Sequence, residues 1–297
     1  MRGRTSLLLS TVFLMCLTAG CAAGSGERPD AAGPSTPPRD LTLAEEVEID
    51  RAEDVLVRRC MQRQGFRYWP GPVAGVDERK AGRYVVDDVG WARRYGYGRP
   101  FDVAAEEDRR SHPNITYPNA LPQERRIRYS LALDGDFDDT ITVDLPSGGS
   151  VRTPRTGCHA EARERLYGDH AAWFRAAKTV TSLTPLYVPR ILEDERLVTA
   201  SDAWARCMKK AGKPFRSPDE IRARRDGLVR GMSEREAQRA EVALAVTEAE
   251  CARRTSLGET ARSLEKEYRA KALKKYAAEF TAYRAMRMTA LTRARSL

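Results

Sequence analysis

Histidine is nearly absent from this chain: only His112, His159 and His170 occur. None lies in an HExxH pattern, and no GxSxG, phosphate-binding loop or dinucleotide-binding glycine pattern is present. A serine hydrolase, a zinc protease and a nucleotide-dependent enzyme therefore lack their usual signatures. No CxxC pair exists, and the closest spacing among the four cysteines after Cys21 is 44 residues. Structural zinc sites draw ligands from short pairs, so neither a metal nor another cofactor is expected. Lysine is scarce too, at nine of the 51 basic residues, an arginine bias that a GC-rich genome explains without any binding task. Long apolar runs are missing except for Leu7 to Leu17, "LLLSTVFLMCL", which is too short for a lasting transmembrane helix.

That one run is informative. Arg2 and Arg4 precede it, and the small residues "TAG" follow it, ending at Cys21. A charged start, a short apolar core and a small-residue cleavage site describe an export signal. The cysteine directly after them resembles a bacterial lipobox, in which the chain is cut before the cysteine and its sulfur receives a diacylglycerol. Thr18 departs from that pattern, standing where leucine is most often found. The reading is a lipoprotein signal peptide over 1–20 and a lipid anchor on Cys21 at the extracytoplasmic face of the cell membrane. Residues 21–40 are rich in Gly, Pro and Ser and carry almost no large apolar side chain, the composition of a disordered tether.

The net charge is +9. Inside a cell that would suggest nucleic acid. For an exported chain no nucleic-acid partner is expected, and the available polyanions are lipid headgroups and cell-wall polymers. The segment after Phe280 holds Arg284, Arg287, Arg293 and Arg295 without an acid, which makes it the candidate anionic contact. The same arginines also suit the negative end of a final helix.

Four cysteines remain in the body: Cys60, Cys158, Cys207 and Cys251. In an exported chain they predict two disulfides, with three arithmetic pairings. A repeated phrase selects one pairing. "RRCMQRQGF" around Cys60 returns as "ARCMKKAGKPF" around Cys207, and each is followed by one further cysteine. The economical pairing is Cys60 with Cys158 and Cys207 with Cys251. Apolar spacing of three and four supports it: Ile49, Ala52, Leu56 and Cys60 share a face, as do Leu197, Ala200, Trp204, Cys207, Met208 and Ala211. Ala237, Ala240, Leu244, Thr247 and Cys251 form a third such face. Gly65 and Gly212 then read as left-handed helix stops.

The pattern predicts a mainly α, disulfide-stapled body. Its first half, 41–190, opens on a helix over about 42–64. A short helix near Trp91 and another over "QERRIRYSLALDGD" follow. "TITVDL" and "SVRTPR" around "PSGG" form one small β-hairpin, and a single helix then runs from Cys158 to about Ala177. "SHPNITYPNALP" and the segment around Pro185 and Pro189 read as loops. The second half, 191–297, ends in a long helix with a stripe at Tyr268, Ala272, Tyr276, Phe280, Tyr283, Met286 and Ala290. Tyr68, Trp69, Trp91, Tyr95, Tyr97 and Phe101 read either as core or as the lining of a groove. "DGDFDDTITVDL" imitates a calcium loop but has Asp139 and Leu145 where the glycine and glutamate belong, so it is a solvated turn.

"WARCMKKAGKPF", "GCHAEARERLYGD" and "ECARRT", behind a lipobox and a Pro/Ser tether, resemble a group of actinobacterial, Streptomyces-type lipoproteins. The likeness covers most of the mature chain. It implies export, lipidation and a helical fold, and it brings no catalytic residue. The function expected is a non-enzymatic binding or structural role at the cell envelope, with an envelope protein or an anionic wall polymer as partner. The alternatives are the solute-binding component of a transporter, which calls for two α/β lobes, and an envelope hydrolase.

Overall fold

A computed structural model describes residues 39–297. The expected signal peptide, Cys21 and most of the tether lie outside the described residues. Helix α1 (Leu43–Arg63) starts at a complete capping box, in which Thr42 accepts from the Glu45 N–H and Glu45 accepts from the Thr42 N–H. Short helices α2 (Val76–Arg79) and α3 (Val89–Tyr95) follow, then α4 (Arg99–Ser111), α5 (Pro113–Asn119) and α6 (Gln123–Asp134). Strands β1 (Thr140–Asp144) and β2 (Ser150–Pro154) pair antiparallel as the expected hairpin, the only sheet among the described residues. Helices α7 (Cys158–Tyr167), α8 (His170–Thr181), α9 (Thr184–Leu192), α10 (Glu195–Lys210), α11 (Pro218–Leu228), α12 (Glu234–Arg254), α13 (Leu257–Leu273) and α14 (Ala277–Ala294) complete the body.

Several expected segments differ, each for a local reason. The two predicted proline loops are helices α5 and α9, because Pro113 and Pro185 sit in the first turn, where a missing N–H costs nothing. The single helix from Cys158 to Ala177 is two. Gly168 leaves the right-handed region at φ 98°, and Asp169 caps a fresh start by accepting from the Ala172 N–H. The long C-terminal helix is three. It breaks at Ser256, the only described non-glycine residue with positive φ, and again at a 3₁₀ turn over Lys274–Tyr276.

The repeated phrase is a helix ending made the same way twice. After α1, the Gly65 N–H donates to the Gln62 carbonyl and the Phe66 N–H to the Met61 carbonyl. After α10, Gly212 donates to Lys209 and Lys213 to Met208. Both glycines are left-handed, both methionines are fully buried, and Phe66 and Phe215 fold back onto their cores.

The core has two main parts, and neither respects the sequence division at residue 190. One gathers Ile49, Leu56, Met61, Tyr129 and Leu166 with Ala290 and Leu291 of the last helix. The other gathers Val85, Trp91 and Tyr97 with Trp204, Met208, Leu244 and Leu264. The Tyr268-to-Ala290 stripe bridges them: Tyr268, Ala272, Tyr276 and Phe280 pack on the second core, Met286 and Ala290 on the first. Trp173 is stacked between Tyr167 at 3.7 Å and Tyr283 at 5.4 Å, which fixes α14 across α7 and α8. Residues 39–297 interlock as one unit.

Candidate functional site

Both predicted disulfides are present. Cys60 joins Cys158 with Cα atoms 5.5 Å apart, and Cys207 joins Cys251 at 5.7 Å. The loops they close span 98 and 44 positions. Chain entropy gives each closure roughly 4–5 kcal/mol of stabilisation.

The tail arginines expected as an anionic contact each have partners within the body. Arg287 bonds Glu46 at 2.6 Å and Arg295 bonds Glu48 at 2.8 Å. Arg284 lies 3.4 Å from Asp40 and over the Phe280 ring. Arg293 donates to the carbonyls of Arg165 and Leu166, so it caps the end of α7 rather than its own helix. The reason is topological: α14 lies on α1, whose first turns carry Glu45, Glu46 and Glu48.

The aromatic residues around Trp91 are core, not a groove. Trp91 and Tyr97 are buried, and Tyr95 and Phe101 pack against them. Tyr68 belongs to the other core and donates to Asp54, while Trp69 meets Tyr117 edge-on. The sequence neighbours His159, Glu161 and His170 point apart. His159 is 3.9 Å from Asp134, Glu161 pairs with Arg63 and Arg165, and His170 Nε2 bonds the Pro154 carbonyl. Asp138 donates its N–H to Asp136 in the turn that resembles a calcium loop. Among the described residues no group of three or more metal-ligating side chains converges.

A cleft of about 850 Å³ opens beside the first disulfide. The end of α1 supplies Gln64 and Phe66, α6 supplies Arg125, Arg128, Leu131 and Ala132, and the approach to α7 supplies Arg155 and Thr156. Arg125 lies over the Phe66 ring, and Arg155 pairs with Asp139 at 3.1 Å. On the acid side Glu161 is already held by two arginines. Next to the cleft, Ile127, Leu131 and Phe137 are 52%, 49% and 60% exposed. Residues 125, 128 and 132 share a helical face, a spacing that could have revealed the cleft in the sequence.

A smaller cleft, about 280 Å³, lies elsewhere on α1 between Asp50, Glu53, Asp54 and His159. Burial raises the pKa of Glu53, against the pull of Arg163, which donates at 3.0 Å. Burial likewise raises Asp54, although Tyr68 and the Gly71 N–H both donate to it, and lowers His159. These carboxylates accept hydrogen bonds that fasten the 68–71 segment and α7 to α1.

Compared with known proteins, the chain matches no family model, no curated protein and no solved structure.

Proposed function

We propose that this chain is a lipid-anchored extracytoplasmic protein that binds a partner without catalysing a reaction, and that helix α6 with its cleft is the binding face. One observation carries the reading. Three large apolar side chains, Ile127, Leu131 and Phe137, stand in water beside a cleft lined by Arg125, Arg128 and Arg155. A concentrated apolar patch beside fixed guanidinium groups is a feature of interaction surfaces. Its chemistry suits an envelope protein segment or wall polymer that carries an acidic group next to apolar surface.

The compartment is inferred separately. All four cysteines after Cys21 are oxidised in pairs, which suits an exported chain. "LTAGC" supplies the anchor, and two or more acyl chains at Cys21 would hold the body at the membrane. The described hairpin-plus-helix architecture offers little support for the transporter alternative, which needs repeated strand–helix units.

Two measurements test this proposal. Cys21→Ser should release the chain into the medium; equal membrane retention together with a lipid-free mass would refute the anchor. A photo-crosslinker placed at Leu131 in intact cells should capture one abundant product, and Arg125→Glu with Arg128→Glu should abolish it. Capture that is indifferent to both charge reversals would move the binding face elsewhere.

A further inference from the structure

The two disulfides differ in what reaches their sulfurs. Cys60 and Cys158 are 3% and 1% exposed. Cys251 is fully buried, but Cys207 is partly exposed at the edge of a cleft of about 420 Å³, whose other walls include Arg206, Lys210 and Arg254. Arg254 Nη2 lies 3.9 Å from Cys251 Sγ. None of these three cations is paired with a carboxylate among the described residues. The stripe expected on α10 is buried at Leu197, Ala200, Trp204 and Met208, while Cys207 lies at its edge, partly exposed, and Ala211 is exposed.

We infer that Cys207–Cys251 is a thiol–disulfide exchange site, and that Cys207 is the atom that accepts an incoming thiolate. The chemistry balances without further components. The thiolate's lone pair forms a new S–S bond to Cys207 Sγ, and the electron pair of the old bond leaves on Cys251 Sγ. That thiolate develops beside the Arg254 guanidinium. A second thiolate then attacks the mixed disulfide at the sulfur of the first thiol, which releases Cys207 as a thiolate. Two thiols thus supply the two electrons and depart as their own disulfide, and solvent protonates the two cysteines. The requirements for fast exchange are access to one sulfur and stabilisation of the leaving sulfur, and this bond has both. The Cys60–Cys158 bond also has arginines nearby and borders the α6 cleft, but both of its cysteines are almost fully buried, whereas Cys207 is partly exposed. The surrounding cations further favour an anionic thiol by raising its local concentration. The inference stands on the described body and does not depend on the lipid anchor or on the α6 binding face.

Lys210 and Arg254 also occupy the last turns of α10 and α12, where cations complement the helix ends. That role alone predicts a less stable Arg254→Gln variant with an unchanged order and rate of bond opening in the folded state. The oxidised chain is treated under native conditions with 2-mercaptoethanesulfonate or cysteamine, at equal thiolate concentration. Free thiols are alkylated at intervals and located by peptide mass mapping. Cys207 and Cys251 should be labelled first, and the sulfonate should react roughly tenfold faster than the amine, with salt erasing the difference. Arg254→Gln should slow opening of this bond and leave Cys60–Cys158 unaffected. Simultaneous opening of both bonds, earlier labelling of Cys60 and Cys158, or equal rates with the two probes would overturn the inference. Should Arg254→Gln fail to fold, the probe comparison on the unmodified chain decides.

Discussion

Tyr97 donates its hydroxyl to Glu248 at 2.7 Å across 151 positions of sequence, and both side chains are buried in the second core. The other Glu248 oxygen accepts the Val86 N–H at 3.1 Å. A carboxyl on α12 therefore fastens the segment before α3. Burial raises its pKa; Tyr97, Arg222 and the Val86 N–H pull the other way, and Asp219 adds repulsion. Because the folded form holds this proton more tightly than the unfolded chain, the sign is fixed. Stability is greatest below the unfolded carboxyl value and falls as pH rises through the raised folded value. Glu248→Gln keeps the size and removes the titration; its amide oxygen can still accept the Val86 N–H, while its NH2 must donate to the Tyr97 hydroxyl oxygen, reversing that bond. Thermal melts from pH 4 to 9 should show a flatter profile for the variant, with its largest relative gain at the alkaline end. A parallel profile would assign the pH dependence to other groups.

Glu241, about two turns earlier on α12, gathers Arg99 of α4 at 2.7 Å and Arg225 of α11 at 3.0 Å. It is 3% exposed, while both arginines keep some water contact. Removing the acid takes away the charge between two largely buried cations, leaving Arg99 with Glu234 at 3.5 Å and Arg225 with Asp102 at 2.7 Å. Glu241→Ala should lose about 3 kcal/mol in urea unfolding. Glu241→Gln should lose less, because it keeps an acceptor for one guanidinium.

These two glutamates mark the limit of what the sequence disclosed. The stripe expected on α12, Ala237, Ala240, Leu244, Thr247 and Cys251, passes over both glutamates. The buried face instead runs through Ala237, Glu241, Leu244, Ala245, Glu248 and Cys251. Their acceptor roles depend on Tyr97, Arg99 and Arg225, which only tertiary packing brings near. By contrast, the Cys-Met-x3-Gly endings, the hairpin and the disulfide pairing are legible, because each rests on local chemistry or on one apolar stripe. Of the α6 cleft only the wall made by residues 125, 128 and 132 is legible as a helical face; the other walls come from two distant segments that only tertiary packing brings to it.

The last helix offers a third test. Leu291 is buried against the first core, and Arg287 and Arg293 tie α14 to α1 and α7. Leu291→Ala should cost 2–4 kcal/mol or so, as a cavity in a packed core does. Replacing Arg284, Arg287, Arg293 and Arg295 with glutamine should lower the melting temperature and leave retention on anionic vesicles unchanged. Loss of vesicle retention at full stability would restore the tail as a contact surface.

The α6 cleft owes its shape to two glycines that meet where α6 ends and α7 begins. Gly135 has φ 88° and Gly157 has φ 95°, a region that other residues enter only at a cost. A Cβ on Gly135 would overlap the Thr156 carbonyl, and one on Gly157 would collide with the Gly135 backbone. Backbone cannot swing aside as a side-chain tip can, so either alanine must push α6 away from the start of α7. That movement carries Arg128 and Leu131 away from Arg155 and Thr156, the two walls of the cleft. Gly135→Ala is accordingly expected to destabilise by about 2 kcal/mol or more, through left-handed strain plus the clash. Its second effect is the more telling. Gly148, at the hairpin tip, also has positive φ but has open space around it. Gly148→Ala therefore carries a similar backbone strain without touching the cleft. If α6 is the binding face, Gly135→Ala should abolish crosslinking from Leu131 even at temperatures where it is fully folded, whereas Gly148→Ala should bind normally. Equal crosslinking by both variants would show that binding does not depend on the spacing of α6 and α7, and the cleft would have to be given up as the site.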